Sequence, residues 1–150
     1  MMTLTIISML IFVSYVVYAY NRFGITPDLS STFYLNKQKW LFPAMLGVVA
    51  MLLLIPIMSL RDDEFKLFEF LTIIGVIFTA SAPAFREDLV REVHRAGAIV
   101  SGASAVIVML ISGCWWLAIG LIPLFFIKKN RVYWVELYLF MMIYTRLLIN

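Results

Sequence analysis

Residues 40–60 read WLFPAMLGVVAMLLLIPIMSL, a run of 21 residues without a charged side chain. About 20 apolar residues form a helix long enough to cross the roughly 30 Å hydrocarbon core of a bilayer. This run therefore predicts a transmembrane helix. The composition agrees, because 63% of the 150 residues are hydrophobic and 14% are charged, against about 45–50% and about 25% in soluble domains.

Six apolar segments can be drawn, each bounded by charged residues or by glycine and proline. They cover residues 2–20, 40–60, 67–84, 94–112, 114–127 and 132–149. The fifth gives only about 21 Å of helix, so four passes with a re-entrant hairpin are the alternative. A turn at Ser112-Gly113 favours six. We expect one all-α integral membrane domain over residues 1–150, a bundle of about six transmembrane helices.

The composition also excludes several classes of function. Six passes leave about 30 residues outside lipid, too few for a soluble catalytic domain. One cysteine and one histidine exclude a disulfide framework, a multi-thiolate site and a histidine cluster, so we expect no metal and no cofactor. The basic residues are spread over short loops, which argues against a nucleic-acid partner.

The distribution of lysine and arginine predicts the orientation. The loops after the first, third and fifth segments hold nine basic residues: Arg22, Lys37, Lys39, Arg86, Arg91, Arg95, Lys128, Lys129 and Arg131. The other side holds three: Arg61, Lys66 and Arg146. Basic loops stay in the cytoplasm, so we expect both termini to be non-cytoplasmic. No cleavage pattern follows the first segment, which is expected to remain as an anchor.

The first loop is the longest and contains Thr26-Pro27-Asp28. This pattern predicts a helix start, with threonine as the N-cap, proline at the first position and an acid in the first turn. We expect a short interfacial helix, with Lys37 and Lys39 toward anionic lipid. The residues expected against the headgroups are Leu29, Phe33, Tyr34 and Trp40. A lid or a partner-binding element is the alternative.

Charged residues at helical spacing precede the fourth segment and predict an extension of that helix into the cytoplasm. Two rows of them share neighbouring faces: Glu87, Arg91 and Arg95, and then Asp88 and Glu92. Glu92 and His94 suggest a proton-transfer or metal pair. The interpretation we favour is an interfacial histidine, because metal binding usually takes three or four ligands.

Small residues in the third and fourth segments predict close helix packing. The fourth carries one stripe of Gly97, Ser101 and Ser104 and an adjoining one of Ala98, Gly102 and Ala105. The third carries Thr72, Gly75 and Thr79. These two helices are therefore expected at the tight centre of the bundle, with a subunit interface or a thin polar pathway as alternatives.

A short internal match raises the hypothesis of an inverted repeat. Leu54-Ile55-Pro56 and Leu121-Ile122-Pro123 are each followed, thirteen residues beyond the proline, by an acid, Glu69 and Glu136 respectively. Halves of three passes each would have opposite orientation and would place these acids near opposite faces, as in inverted-repeat transporters. The interpretation we favour is that each acid instead pairs with a nearby basic residue.

Several segments together resemble small multi-pass membrane proteins encoded by bacteria and their phages. They are residues 23–27 (FGITP), 29–34 (LSSTFY), 40–42 (WLF), 82–85 (APAF) and 93–94 (VH). The resemblance implies a bacterial inner-membrane location and transfers no activity.

Three functional classes remain on sequence grounds. We expect a membrane component with no chemistry of its own, which contacts the lipid bilayer and forms a homo-oligomer. A small transporter or channel subunit is the alternative. A lipid-modifying enzyme would have to use Asp88, Glu92 and His94.

Overall fold

Seven α-helices and two short 3-10 helices account for the regular structure of the described residues. The structure is a computed structural model and describes residues 1–60, 66–82 and 88–149. The α-helices are α1 (Met2–Phe23), α2 (Thr32–Leu35), α3 (Leu41–Met58), α4 (Lys66–Ser81), α5 (Asp88–Ile111), α6 (Trp115–Ile119) and α7 (Arg131–Ile149). The 3-10 helices are Leu29–Ser31 and Ile122–Phe126. The predicted all-α class is confirmed for this part of the chain.

Four of these helices, α1, α3, α5 and α7, are long and apolar enough to cross a membrane. Helix α4 has 16 residues as described, or about 24 Å. The predicted fifth segment is divided between α6 and the second 3-10 helix. Membrane passes by the predicted third segment (67–84) and fifth segment (114–127) therefore stay a prediction. The predicted extension of the fourth helix is present from Asp88, whereas Glu87 and Arg86 lie outside the described residues.

Helices α1 and α7 run antiparallel, so both ends of the chain lie at one end of the bundle. The hydroxyls of Ser8 and Tyr144 are 3.0 Å apart, and the rings of Phe12 and Phe140 stack at 4.3 Å. At the other end, the backbone N–H of Tyr133 donates to the carbonyl oxygen of Pro27. We refer to the two ends as the Glu69 end, which holds the termini, and the Glu136 end.

Helix α3 packs antiparallel to α1, and α4 packs antiparallel to α3. Near the Glu136 end the rings of Tyr15 and Phe42 lie against each other, and nearer the termini Ser8 donates to the carbonyl oxygen of Val49. The main apolar core lies among these helices, where Val49 and Ile73 are fully buried. The buried residues of α3 and α4 recur at helical spacing, so each helix turns one face toward this core.

Helices α5 and α7 run parallel. Gly102 faces Leu139, and farther along both helices Met109 and Met142 belong to one apolar cluster. Because parallel neighbours begin at the same end of a bundle, residues 112–130 return from the Glu69 end to the Glu136 end. Helix α6 and the second 3-10 helix make up most of this return, and the turn before it contains Gly113 with φ of +79°.

Candidate functional site

The chain between α1 and α3, residues 24–40, folds into the Glu136 end of the bundle, and we call it the first connector. Its helical start is two residues later than predicted: Asp28 is the N-cap and its carboxylate accepts the N–H of Ser31 at 2.7 Å. The Thr26 hydroxyl donates to the carbonyl oxygen of Asp28 at 2.7 Å, so it does not cap. Leu29 is 3% exposed and belongs to the main core, which corrects its expected place against the headgroups.

His94 holds the first connector against α4 and α5. Its Nδ1 lies 2.9 Å from the carbonyl oxygen of Ala82 and 3.1 Å from that of Thr79. Because carbonyl oxygens only accept, Nδ1 carries the proton, and Nε2 of the neutral ring then accepts from the Ser30 hydroxyl at 2.9 Å. Both side chains are buried. His94 thus connects three segments through contacts that the sequence did not predict.

Glu136 bonds to the same connector from α7. Its Oε2 accepts the backbone N–H of Leu29 at 2.6 Å, and the side chain is half-buried. This bond satisfies an N–H at the start of a 3-10 helix, where no helical carbonyl is available. Glu136 therefore faces into the bundle. The sequence had favoured a pairing of this carboxylate with a nearby basic residue instead.

A cavity of about 70 Å³ lies between the first connector and helices α3, α4, α5 and α7. Its polar lining consists of Ser30, Thr79, Ser101 and Glu136. Since one water molecule needs about 10–15 Å³, a few water molecules fit, but a substrate-sized molecule does not. We call this space the connector cavity.

Glu92 and Asp88 do not join this cluster. Both are exposed on the early turns of α5, and Asp88 binds Arg91 at 2.7 Å, whereas the His94 ring points into the bundle. The structure thus separates the three residues that a lipid-modifying enzyme would need. Among the described residues, no group of three or more histidine, cysteine or acidic side chains is placed to hold a metal.

Glu69 lies at the opposite end of the bundle from Glu136. It is 1% exposed, and its carboxylate is 3.7 Å from the ammonium group of Lys66. It lines a cavity of about 20 Å³ with Thr72 and Arg146. Arg146 is 4% exposed, and its Nη1 lies 3.5 Å from Sγ of Cys114. A buried guanidinium was not predicted, since the sequence analysis counted Arg146 as a basic residue near the chain end on the non-cytoplasmic side.

The predicted small-residue stripes meet different neighbours. A Cβ on Gly97 would lie 2.8 Å from the carbonyl oxygen of Gly75, so two backbones are in contact there. Ser101 packs against the same glycine of α4, and Ser104 is buried. Gly102 instead faces the side chain of Leu139 on α7.

Sequence reasoning missed the polar residues of α1 that bind the rest of the bundle. The Tyr15 hydroxyl is 2.6 Å from the Thr32 hydroxyl in the first connector, and Ser8 contacts α3 and α7. A signal was present, because the buried residues of α1 recur at alternating spacings of three and four. They are Thr5, Ser8, Phe12, Tyr15 and Ala19. This is the periodicity of a packed helix face.

Comparisons with protein-family models, with curated proteins and with solved structures found no match to this chain. The resemblance to small membrane proteins of bacteria and phages stays a prediction.

Proposed function

We propose that the protein is an integral membrane component that acts through helix packing, lipid contact and association with partners, and has no chemistry of its own. The observation that carries this proposal is that the central polar side chains bond to other parts of the same fold. Glu136, His94 and Tyr15 each bond to the first connector, so the polar groups join segments of the fold. The space beside them holds only a few water molecules.

The proposed topology is six passes in a bacterial inner membrane, with both termini outside the cytoplasm. Two observations support it. The parallel course of α5 and α7 requires residues 112–130 to return along the bundle. Eight of the nine basic residues counted for the cytoplasmic side are described, and they lie at the Glu136 end. They are in or beside the first connector, in the first two turns of α5, and at or just before the start of α7. Basic residues at one end favour cytoplasmic retention of that end.

The proposal includes a homo-oligomer formed by helix faces within the bilayer. Large apolar side chains stand out from the return segment: Trp115, Trp116, Phe125 and Phe126 are all at least half exposed. Six passes would leave only about 30 residues outside lipid, so subunit contacts would be made mainly in lipid, through packing. Cys114 is buried and is therefore a poor cross-linking reporter.

Native mass spectrometry of the full chain in nanodiscs tests the oligomer. We expect a defined multiple of 17.3 kDa. In a Cys114→Ser background, Trp116→Cys should give a disulfide-linked dimer on mild oxidation, whereas Leu89→Cys, on the exposed start of α5, serves as the control. A strictly monomeric mass in nanodiscs would contradict the oligomer.

A second candidate, a small transporter or channel subunit with two inverted halves, is favoured by one observation. Glu69 and Glu136 lie at opposite ends of the bundle, and each lines a space between helices. Intramembrane acids of this kind often mark ion pathways. Proteoliposomes with an internal pH dye test it: proton flux abolished by both Glu69→Gln and Glu136→Gln would replace the leading proposal, and flux equal to that of empty vesicles would eliminate the transporter.

A further inference from the structure

An apolar groove of about 600 Å³ runs between α1 and α3 on the outside of the bundle. Ser14 and Ala44 are its small central residues, and Tyr18 and Trp40 stand at one end. The groove extends along α1 from Leu10 to Tyr18, or about 12 Å. One leaflet of the hydrocarbon core is about 15 Å thick, so the groove matches the depth of a single acyl chain in one leaflet.

Exposed cations lie close along the chain to Tyr18 and Trp40, which stand at one end of the groove. Arg22 is one turn beyond Tyr18 on the same face of α1, and it is exposed. Lys39 directly precedes Trp40, and its Nζ lies 5.8 Å from the centre of the Phe33 ring. Lys37 is also exposed.

Few acidic side chains in this part of the sequence could pair with these cations. Asp28 is the only acidic residue among residues 1–60. Its carboxylate accepts from the backbone N–H and the hydroxyl of Ser31, which commits it to the cap of the 3-10 helix. The end of the apolar groove therefore carries a net positive charge.

We propose that this groove binds one anionic phospholipid, with an acyl chain between α1 and α3 and the phosphate at Arg22 and Lys39. Tyr18 and Trp40 are the amphipathic aromatic residues that proteins place at headgroup level. A zwitterionic lipid would bring an ammonium group against the same cations and bind less well. Free phosphate would lack the chain that fills the groove. This inference rests on the proposed function, since it requires a chain embedded in lipid.

The test measures lipids retained by the purified full chain in native mass spectrometry. Phosphatidylglycerol and phosphatidylcholine with the same acyl chains are supplied in equal amounts, and phosphatidylglycerol should be retained preferentially. Removing a cation near a bilayer surface weakens anionic lipid binding roughly fivefold, so Arg22→Gln with Lys39→Gln should lose most of the preference. The control, Lys128→Gln with Arg131→Gln, removes the same charges from exposed positions at the same end and should keep it.

A second pair of variants tests the groove itself. Ala44→Trp fills the groove from an exposed position and should lower retention of phosphatidylglycerol, whereas Val13→Trp, on another exposed face of α1, should not. Water-soluble glycerol 3-phosphate should fail to displace the lipid. Equal retention of the two lipids, displacement by glycerol 3-phosphate, or an equal loss in the control variants would overturn the lipid site and leave the proposed function intact. Failure of the wild type to insert into lipid vesicles would instead overturn the proposed function.

Discussion

At the scale of single residues, two glycines allow the backbones of α4 and α5 to come into direct contact. A Cβ on Gly75 would lie 2.5 Å from the carbonyl oxygen of Gly97 and 2.6 Å from the backbone nitrogen of Ser101. Neither atom can move without shifting a helix. We expect Gly75→Ala and Gly97→Ala each to lower the stability of the bundle by about 1–3 kcal/mol, the usual cost of overpacking, as measured by thermal unfolding in detergent.

Gly102→Ala is the matched control for these variants. Its Cβ would lie 3.2 Å from a terminal methyl of Leu139, and a side chain of that length can rotate away. The expected change is within about 0.5 kcal/mol. The sequence analysis treated the stripes of Gly97 and Gly102 alike, because spacing alone does not show whether a stripe faces a backbone or a side chain. Equal losses at all three glycines would contradict this distinction.

His94 is the residue whose loss should loosen the first connector most. Phenylalanine retains an aromatic ring but leaves the Ser30 hydroxyl and the carbonyl oxygens of Thr79 and Ala82 without the imidazole. We expect His94→Phe to cost about 1–3 kcal/mol, typical of buried polar groups that lose a partner. Glu92→Gln, an exposed change on the same helix, should leave the unfolding temperature unchanged, and a comparable shift in both variants would contradict the assignment.

At the scale of elements, the sequence predicted helices better than connections. Length and hydropathy identify four of the helices, α1, α3, α5 and α7, because a segment that spans a bilayer must be long and apolar. The burial of the first connector was missed because it depends on contacts from distant residues. Glu136 meets Leu29 across 107 positions of sequence, and His94 meets Ser30 across 64. Patterns of neighbouring residues in the sequence do not reveal contacts between residues so far apart.

The bond between Glu136 and Leu29 gives a prediction about the first connector as a unit. Glu136→Leu removes the acceptor for the Leu29 N–H, so backbone amides of residues 29–35 should exchange with deuterium faster than in the wild type. Glu136→Gln keeps a carbonyl oxygen at that position and should stay closer to the wild type. Hydrogen exchange by mass spectrometry in nanodiscs measures both. Unchanged protection in Glu136→Leu would mean that the bond does not hold the connector.

At the scale of the whole molecule, the arrangement of the helices follows from pairings that the sequence only partly revealed. The close association of α4 and α5 was predicted from small residues, and Gly75 and Gly97 are in contact there. The parallel course of α5 and α7 was implicit in six passes, but the fifth segment was too short to establish it. Its division into α6 and a 3-10 helix explains the weak signal, because neither piece has the length of a spanning helix.

The orientation in the membrane is the last prediction, and its two parts can fail separately. The antiparallel pairing of α1 and α7, seen between Ser8 and Tyr144, places both ends of the chain at one end of the bundle, so we expect them on the same side of the bilayer. The basic residues at the Glu136 end predict that this side is not the cytoplasm. In a Cys114→Ser background, Met2→Cys should therefore react with a membrane-impermeant maleimide on spheroplasts, and an alkaline phosphatase fused after Asn150 should be active.

An inactive fusion with an unlabelled cysteine would keep the fold and invert its orientation. Opposite results at the two ends would contradict the α1–α7 pairing itself, since no orientation of an antiparallel pair separates the start of one helix from the end of the other.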